Sequence, residues 1–369
     1  MSDQTDTKQP LYIFAGGGTG GHLAPGIAVA EELRREQPDC RIRFVGSGRP
    51  VERQMLEPTG FEYSVREVLP LNAAKRRPFQ FMRTHWRAYR ESCSDIAQDR
   101  PTAIIGLGGF ASVPLALAAK KKRVPCVLLE QNTVPGKANR WLSRWHPICL
   151  TFEESARFLP ARANSNFTGN PLRQEIRQLS SSTRELPLEK PTLLILGGSL
   201  GSRQVNESIL TAVAELSTEF SGWKVIHQTG PEGVEAARAV YEEHGIAHEV
   251  EPFFADLPAR LASTTLAVAR AGATTLSELA AVGIPVVLIP YPASADDHQV
   301  KNAEYFERAD AAVIAAPPDR SFAAVDLAPA LQPLLTDRTR LTEMGHAMRR
   351  SGMPEASIEV VRMLRSLLK

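Results

Sequence analysis

The same three-part phrase occurs twice in this chain of 369 residues. Leu11–Ala15 (LYIFA) is an apolar run that passes directly into Gly16-Gly-Gly-Thr-Gly-Gly-His22, with a helical pattern from about Pro25 to Glu36. Thr192–Leu196 (TLLIL) passes in the same way into Gly197-Gly-Ser-Leu-Gly201 and a helix from about Ser202. Strands that each lead through a glycine turn into a helix build a parallel sheet covered on both faces. Further strands are predicted at Arg41–Val45, Phe61–Val65, Ala103–Gly106 and Pro125–Leu129. A chain of this length is long for one core. The pattern therefore predicts an α/β protein of two Rossmann-like domains, with parallel sheets facing across a cleft. The first domain spans 11–172, a polar linker 173–190 and the second domain 191–350. A C-terminal helix at 351–369 can pack back on the first domain.

Composition narrows the class. Apolar residues make up 43% and charged residues 23%, with a net charge of +2, which is ordinary for a soluble protein. Cys40, Cys93, Cys126 and Cys149 are widely spaced with no C-x-x-C pair, so they read as buried thiols in a reducing compartment. The N-terminus (MSDQTDTKQP) is polar and lacks the features of a signal peptide. No apolar run approaches the length of a membrane span. These points predict a protein that is soluble or bound to a membrane only at its surface.

The segment Arg270–Gln299 is the most informative stretch of the second half. Leu266–Ala269 is a strand end and Gly272 breaks the pattern. Thr274 or Thr275 can cap a helix with apolar positions Leu276, Leu279, Ala280 and Val282, and Gly283 ends it. Pro285–Pro290 reads as a buried parallel strand. In open α/β sheets such helix N-termini face the ligand crevice, and their N–H groups suit a phosphate. Glu278 lies one turn in, where a carboxylate can accept two ribose hydroxyls. Thr275-x-x-Glu278 also reads as a capping box, and the spacing alone leaves both open.

In the first glycine loop, Gly16, Gly18 and Gly21 satisfy the dinucleotide pattern G-x-G-x-x-G. That pattern wants an acidic residue at the end of the second strand, which here reads Val45-Gly-Ser-Gly-Arg49. Arg49 would suit a phosphorylated ribose, so an NADP-binding module stays open. A P-loop does not, because no Gly-Lys-Ser/Thr follows. The loop offers backbone N–H groups and close approach to a ligand, with Thr19 and His22 at its mouth.

Six motifs then stand together in order. They are Gly16–His22 with Pro25-Gly26, Gly106-Leu-Gly-Gly-Phe-Ala-Ser112, Glu130-Gln-Asn132, Gly169-Asn-Pro-Leu-Arg173, Gly197–Gly201, and Arg270–Gln299 with its Pro290-Tyr-Pro and Ala295-Asp-Asp-His-Gln299. In this respect the chain closely resembles the MurG family of bacterial peptidoglycan N-acetylglucosaminyltransferases, in glycosyltransferase family 28. The resemblance runs from about Leu11 to the C-terminus. It implies a GT-B fold and inverting transfer of N-acetylglucosamine from UDP-N-acetylglucosamine to the C4 hydroxyl of the N-acetylmuramoyl unit of lipid I, giving lipid II. It implies no cofactor and no metal, and Asp296-Asp297 is the nearest thing to a metal motif. Another GT-B enzyme of UDP-sugars, a lipid glycosyltransferase or an epimerase, is the alternative.

Carried to this chain, the resemblance implies a donor site. Thr19, Gly20 and Gly21 would lie near the sugar and diphosphate, Asn132 and Gln299 would contact the sugar, and Arg173 and Ser199 the phosphates. Phe254 would meet uracil through its backbone. Ala273, Thr274, Thr275, Leu276 and Ser277 would cradle the diphosphate, with Glu278 on the ribose. The base that takes the acceptor proton would be His22, on its intrinsic pKa, or Glu130.

A lipid-linked acceptor requires work at a membrane. Leu69–Arg90 (LPLNAAKRRPFQFMRTHWRAYR) carries six basic and no acidic residues. Leu71, Lys75, Arg76, Phe79, Phe81, Met82 and Trp86 form the expected patch for an anionic membrane surface. Lys120–Arg123 (KKKR) can extend it. A basic helix with its apolar side in the core is the other reading. No nucleic-acid motif accompanies the patch. The resemblance implies a peripheral place on the cytoplasmic face of the inner membrane, with cell-wall synthesis and division proteins as candidate partners.

Overall fold

A computed structural model describes residues 9–70, 73–181, 185–198, 201–317, 319 and 321–368. The chain divides into two units, Met1–Arg173 with Glu355–Lys369, and Gln174–Pro354. In the first, strands β1 (Leu11–Ala15), β2 (Arg41–Gly46), β3 (Glu62–Val65), β4 (Ala103–Gly106), β5 (Cys126–Glu130), β6 (Ile148–Leu150) and β7 (Ser165–Phe167) form one sheet. Its order is β3-β2-β1-β4-β5-β6-β7, and every pair is parallel. In the second, β8 (Thr192–Leu196), β9 (Lys224–Gln228), β10 (Ala247–Glu251), β11 (Leu266–Ala269), β12 (Val286–Leu288) and β13 (Ala312–Ile314) pair in the order β10-β9-β8-β11-β12-β13, again all parallel.

Both sheets follow the same packing logic. The central strands β1, β4, β5, β8, β11 and β12 are buried at every position, as unbroken apolar runs require when helices cover both faces. The outer strands β3, β7 and β10 keep polar, partly exposed residues. Alternate residues of the first sheet feed separate cores. Phe14, Ile105 and Leu129 join one, where the Phe14 and Phe44 rings stack at 4.7 Å, and Ile13, Ile104 and Leu128 join the other. All four cysteines are free, and burial pushes the Cys126 and Cys149 thiols up to about 12.

Two local expectations are corrected. The first helix begins at Gly20 and runs to Glu36, so Gly20, Gly21 and His22 form its first turn and Pro25 lies inside. A glycine-rich run has low helix propensity and reads as loop, yet Leu23 N–H bonds Thr19 O at 3.2 Å and starts the helix there. Within the stretch read as linker, Gln174–Ser181 is a helix with Ile176 buried.

The helix Ala356–Ser366 belongs to the first unit. Its Val360, Val361 and Leu364 enter the same core as Leu23, Ile27 and Leu33 of the helix Gly20–Glu36. Ser357 Oγ donates to Leu172 O at 3.0 Å and accepts from Leu172 N at 3.2 Å, while Arg365 pairs with Glu36 at 2.6 Å.

In the second unit His227 on β9 is fully buried between Tyr241 Oη (2.8 Å) and Asn206 Oδ1 (3.1 Å). Burial drives its pKa down to about 3. As pH falls below the ordinary histidine range, the unfolded chain takes up this proton first. The stability His227 gives is therefore present above about pH 6.5 and is lost toward pH 3, at about 1.4 kcal/mol per pH unit. In urea unfolding between pH 7 and 4.5, His227→Gln should lose stability less steeply than the parent by about that slope. Equal slopes would contradict this.

Candidate active site

Parallel strands bring the loops at their carboxyl ends to one edge, and the crevice opens where strand order reverses. In the first unit that point lies between β1 and β4. Gly16 there has φ +110°, and a Cβ would stand 2.7 Å from Gly108 O, so the loops after β1 and β4 meet backbone to backbone. Thr19 Oγ1 lies 2.7 Å from His22 Nδ1. The position of a Cβ on Gly108 is 3.2 Å from the His22 ring and 3.3 Å from Asn139 Nδ2. Asn139 in turn donates to Leu129 O (2.8 Å) and to Glu130 (2.9 Å), at the end of β5. Thr19, the first helical turn with His22, and the end of β5 with Glu130 and Asn132 thus gather around the loop after β4.

Glu130 is buried, and its carboxylate accepts from Asn132 N (3.0 Å), Gly136 N (2.9 Å) and Asn139 Nδ2. Burial pushes its pKa up; these donors oppose it without cancelling it. Both oxygens are engaged in holding the loop 130–139. Arg49, weighed above as a ribose-phosphate reader, donates from Nη1 to Gly18 O at 2.9 Å and so braces the first glycine loop.

In the second unit the order reverses between β8 and β11. Ser199 lies outside the described residues. Next to it, Gly198 O accepts from Gln228 Nε2 at 2.8 Å, and Gln228 Oε1 accepts from Phe254 N at 3.2 Å. Arg270, after β11, donates to Ser202 Oγ (2.7 Å), Gln204 Oε1 (2.8 Å) and Ile289 O (3.1 Å). Burial lowers its pKa to about 10, so it remains a cation at neutral pH. Gln228 and Arg270 were missed as site residues in the sequence; no spacing rule marks a side chain that organises loops.

The helix Ala273–Val282 begins after Gly272, which is its N-cap with extended backbone and no side-chain cap. The capping role expected of Thr274 or Thr275 is thereby corrected, and with it the capping box, because both threonines lie inside the helix. Asn302 Nδ2 holds Ala271 O at 3.2 Å beside this turn, whose N-cap Gly272 lies two residues before Thr274 and three before Thr275. Leu276 is fully buried and Ser277 Oγ donates to Ala273 O at 2.8 Å. Glu278 is only 6% exposed. Gln299 Oε1 accepts from Tyr291 N at 2.9 Å. Arg173 is half-buried at the end of the first unit. Among the described residues no three His, Cys, Asp or Glu side chains gather as metal ligands.

The basic stretch forms the helices Ala73–Arg76 and Pro78–Asp99. Ala88, Ser92 and Ile96 of the longer helix are buried, while Phe79 (87%), Met82 (67%) and Trp86 (62%) are exposed. Positions three and four apart share a face, so these three form an outward apolar strip with Lys75 and Arg76 exposed nearby in sequence. Phe81 departs from the expected patch: it is half-buried, with its ring 4.0 Å from that of His85. Leu71 lies outside the described residues. No described helix is long and apolar enough to cross a membrane.

Two family profiles match the chain in order. The Glycosyltransferase family 28 N-terminal domain matches residues 12–147, and the Glycosyltransferase family 28 C-terminal domain residues 192–360. A Desulfotalea psychrophila protein named UDP-N-acetylglucosamine--N-acetylmuramyl-(pentapeptide) pyrophosphoryl-undecaprenol N-acetylglucosamine transferase is 36% identical over 366 residues, 98% of either chain. A protein of the same name from Syntrophotalea carbinolica is 34% identical, covering 96% of this chain and 98% of its own. The crystal structure of Acinetobacter baumannii MurG matches with a TM-score of 0.77 at 27% identity, covering 97% of this chain and 99% of that one.

Replacing Glu130 with glutamine would turn an amide NH2 toward the Gly136 or Asn139 donors. The expected cost is about 1–3 kcal/mol of unfolding free energy in urea titration. An unchanged midpoint would mean that the loop does not depend on the carboxylate.

Proposed function

We propose, from the premise that the chain belongs to glycosyltransferase family 28, that it transfers N-acetylglucosamine from UDP-N-acetylglucosamine to the C4 hydroxyl of the N-acetylmuramoyl unit of lipid I. The product is lipid II, with inversion at the anomeric carbon. The observation that carries this reading is a relative of that activity, by name, at 36% identity along 98% of the chain. The fold is GT-B, with two Rossmann-like units.

The chemistry is a single displacement. The acceptor oxygen attacks C1 of the sugar while the bond from C1 to the β-phosphate oxygen breaks. UDP leaves with additional negative charge. In our reading that charge meets the uncapped N-terminus at Ala273–Thr275, with Arg173 and Ser199 as further partners. Leu276 is buried, so it contributes backbone alone. Glu278 accepts the ribose hydroxyls. The amide of Phe254 is taken by Gln228, so the backbone group it offers uracil is its carbonyl. Asn132 and Gln299 read the sugar, and Thr19, Gly20 and Gly21 line its approach.

His22 takes the acceptor proton in this scheme. Imidazole has the intrinsic pKa for the task, and Thr19 orients the ring through Nδ1. Glu130 holds the neighbouring loop in place of acting as base.

The polyprenyl tail of the acceptor calls for a membrane surface, and we assign docking to the exposed strip Phe79, Met82 and Trp86 with its basic neighbours. Each Lys or Arg near an anionic surface contributes about 1 kcal/mol. The enzyme would then sit peripherally on the cytoplasmic face of the inner membrane.

Release of UDP with and without a lipid I analogue tests the reaction. Glu278→Ala should lower acceptor-dependent kcat/KM by about 100-fold or more, from the loss of two hydrogen bonds to a charged acceptor. Donor that is split or epimerised with no acceptor present would overturn the reading. For docking, the paired substitutions Phe79→Ser and Trp86→Ser should weaken sedimentation with phosphatidylglycerol-containing vesicles by about 10-fold or more. Unchanged sedimentation would remove this helix from the membrane contact.

A further inference from the structure

Glu52 lies in the short helix Pro50–Leu56 and is fully buried. Its Oε1 accepts from Ser47 N (3.0 Å) and Ser47 Oγ (2.8 Å). Its Oε2 accepts from Gly48 N (2.7 Å), Arg49 N (3.1 Å) and Tyr63 Oη (2.7 Å). Burial works to raise the pKa of this carboxyl, but the donors outweigh burial and the net shift is downward. The group is therefore a carboxylate at neutral pH. Taking a carboxylate out of water is costly, and here neutral N–H and O–H groups offset it.

Two glycines leave the room it occupies. A Cβ at Gly46 would stand 2.6 Å from Oε2, and one at Gly17 would stand 3.1 Å from Oε1. Gly46 opens the loop after β2. Gly17 belongs to the loop after β1, which leads into Thr19 and His22. The carboxylate is thus wedged between the two loops, and Arg49, whose N–H it holds, reaches over to Gly18 O at 2.9 Å. Every contact lies within the first unit.

We propose that Glu52 is a positioning residue for the acceptor half of the reaction, locking the loop Gly46–Arg49 against the first glycine loop and so setting the pose of Thr19 and His22. This rests on the reading that His22 acts on the acceptor hydroxyl. Glu52 touches no substrate in this scheme and works through the two loops.

The test uses the full chain and two variants. Glu52→Gln keeps the size but turns an NH2 toward N–H donors. Arg49→Met is an exposed change that cuts only the link to Gly18 O. With a lipid I analogue, Glu52→Gln should lower kcat about 10- to 100-fold, since small misplacements at a reacting group have effects of that size. Arg49→Met should move kcat in the same direction by about fivefold.

The imidazole 15N shifts of His22 give a readout that needs no turnover. The parent should show one tautomer, fixed by Thr19, and both variants averaged shifts. A Glu52→Gln protein that unfolds earlier but keeps kcat and the His22 shifts would reduce Glu52 to a structural residue and overturn the proposal. If that variant does not fold, unchanged kcat and His22 shifts in Arg49→Met overturn it instead. A parent that transfers no sugar would sink the enzymatic reading, and the His22 shifts would still decide whether Glu52 sets the pose.

Discussion

In a parallel sheet every strand delivers its carboxyl end to the same edge, and the gathering of loops within each unit of this protein depends on that constraint. The loops after β1, β4 and β5 are neighbours because their strands are neighbours. The same holds for the loops after β8 and β11. Closeness then becomes a demand on the sequence. Where Gly16 meets Gly108 O, a single methyl group would push two loops apart. Glycine at such points is a condition for the loops to share a rim at all, and Thr19, His22 and Asn139 are placed by that contact.

The two units solve the problem of a polar rim differently. In the first, buried carboxylates do the organising. Glu130 gathers the N–H groups of 132 and 136, and Glu52 those of 47, 48 and 49. Negative charge is stabilised there by aimed backbone dipoles. In the second, a cation and an amide take that part. Arg270 draws the start of the helix Arg203–Glu215 to the end of β12, and Gln228 joins Gly198 to Phe254. The loops of the second unit are thus joined by a guanidinium and an amide where those of the first are joined by carboxylates.

Much of this was legible in the sequence. Apolar runs ending in glycine marked β1, β4 and β8, because a buried parallel strand needs both signals. The end of the helix Ala273–Val282 at Gly283 was equally clear, since its φ of +78° suits glycine. Its beginning was not. Thr275 satisfies a local rule, and a tertiary bond from Asn302 to Ala271 decided otherwise. The start at Gly20 was hidden by weak propensity, and the half-buried Phe81 by uncertainty over which side of a long helix faces out. Glu52 carried no signal, because its partners are mostly backbone N–H groups, which every sequence possesses. Side chains that act on loops are read from geometry, whereas glycines and strands are read from order.

The helix Ala356–Ser366 completes a core whose strands were laid down at the other end of the chain. During synthesis Leu23, Ile27 and Leu33 emerge early, and Val360, Val361 and Leu364 follow only after the whole of Gln174–Pro354. The second unit is continuous in sequence and can close as it leaves the ribosome. The first must wait with an apolar strip uncovered. Its maturation is thereby tied to translation of the last segment, so a nascent chain cut short within the second unit carries the loops after β1 and β4 on an unfinished core.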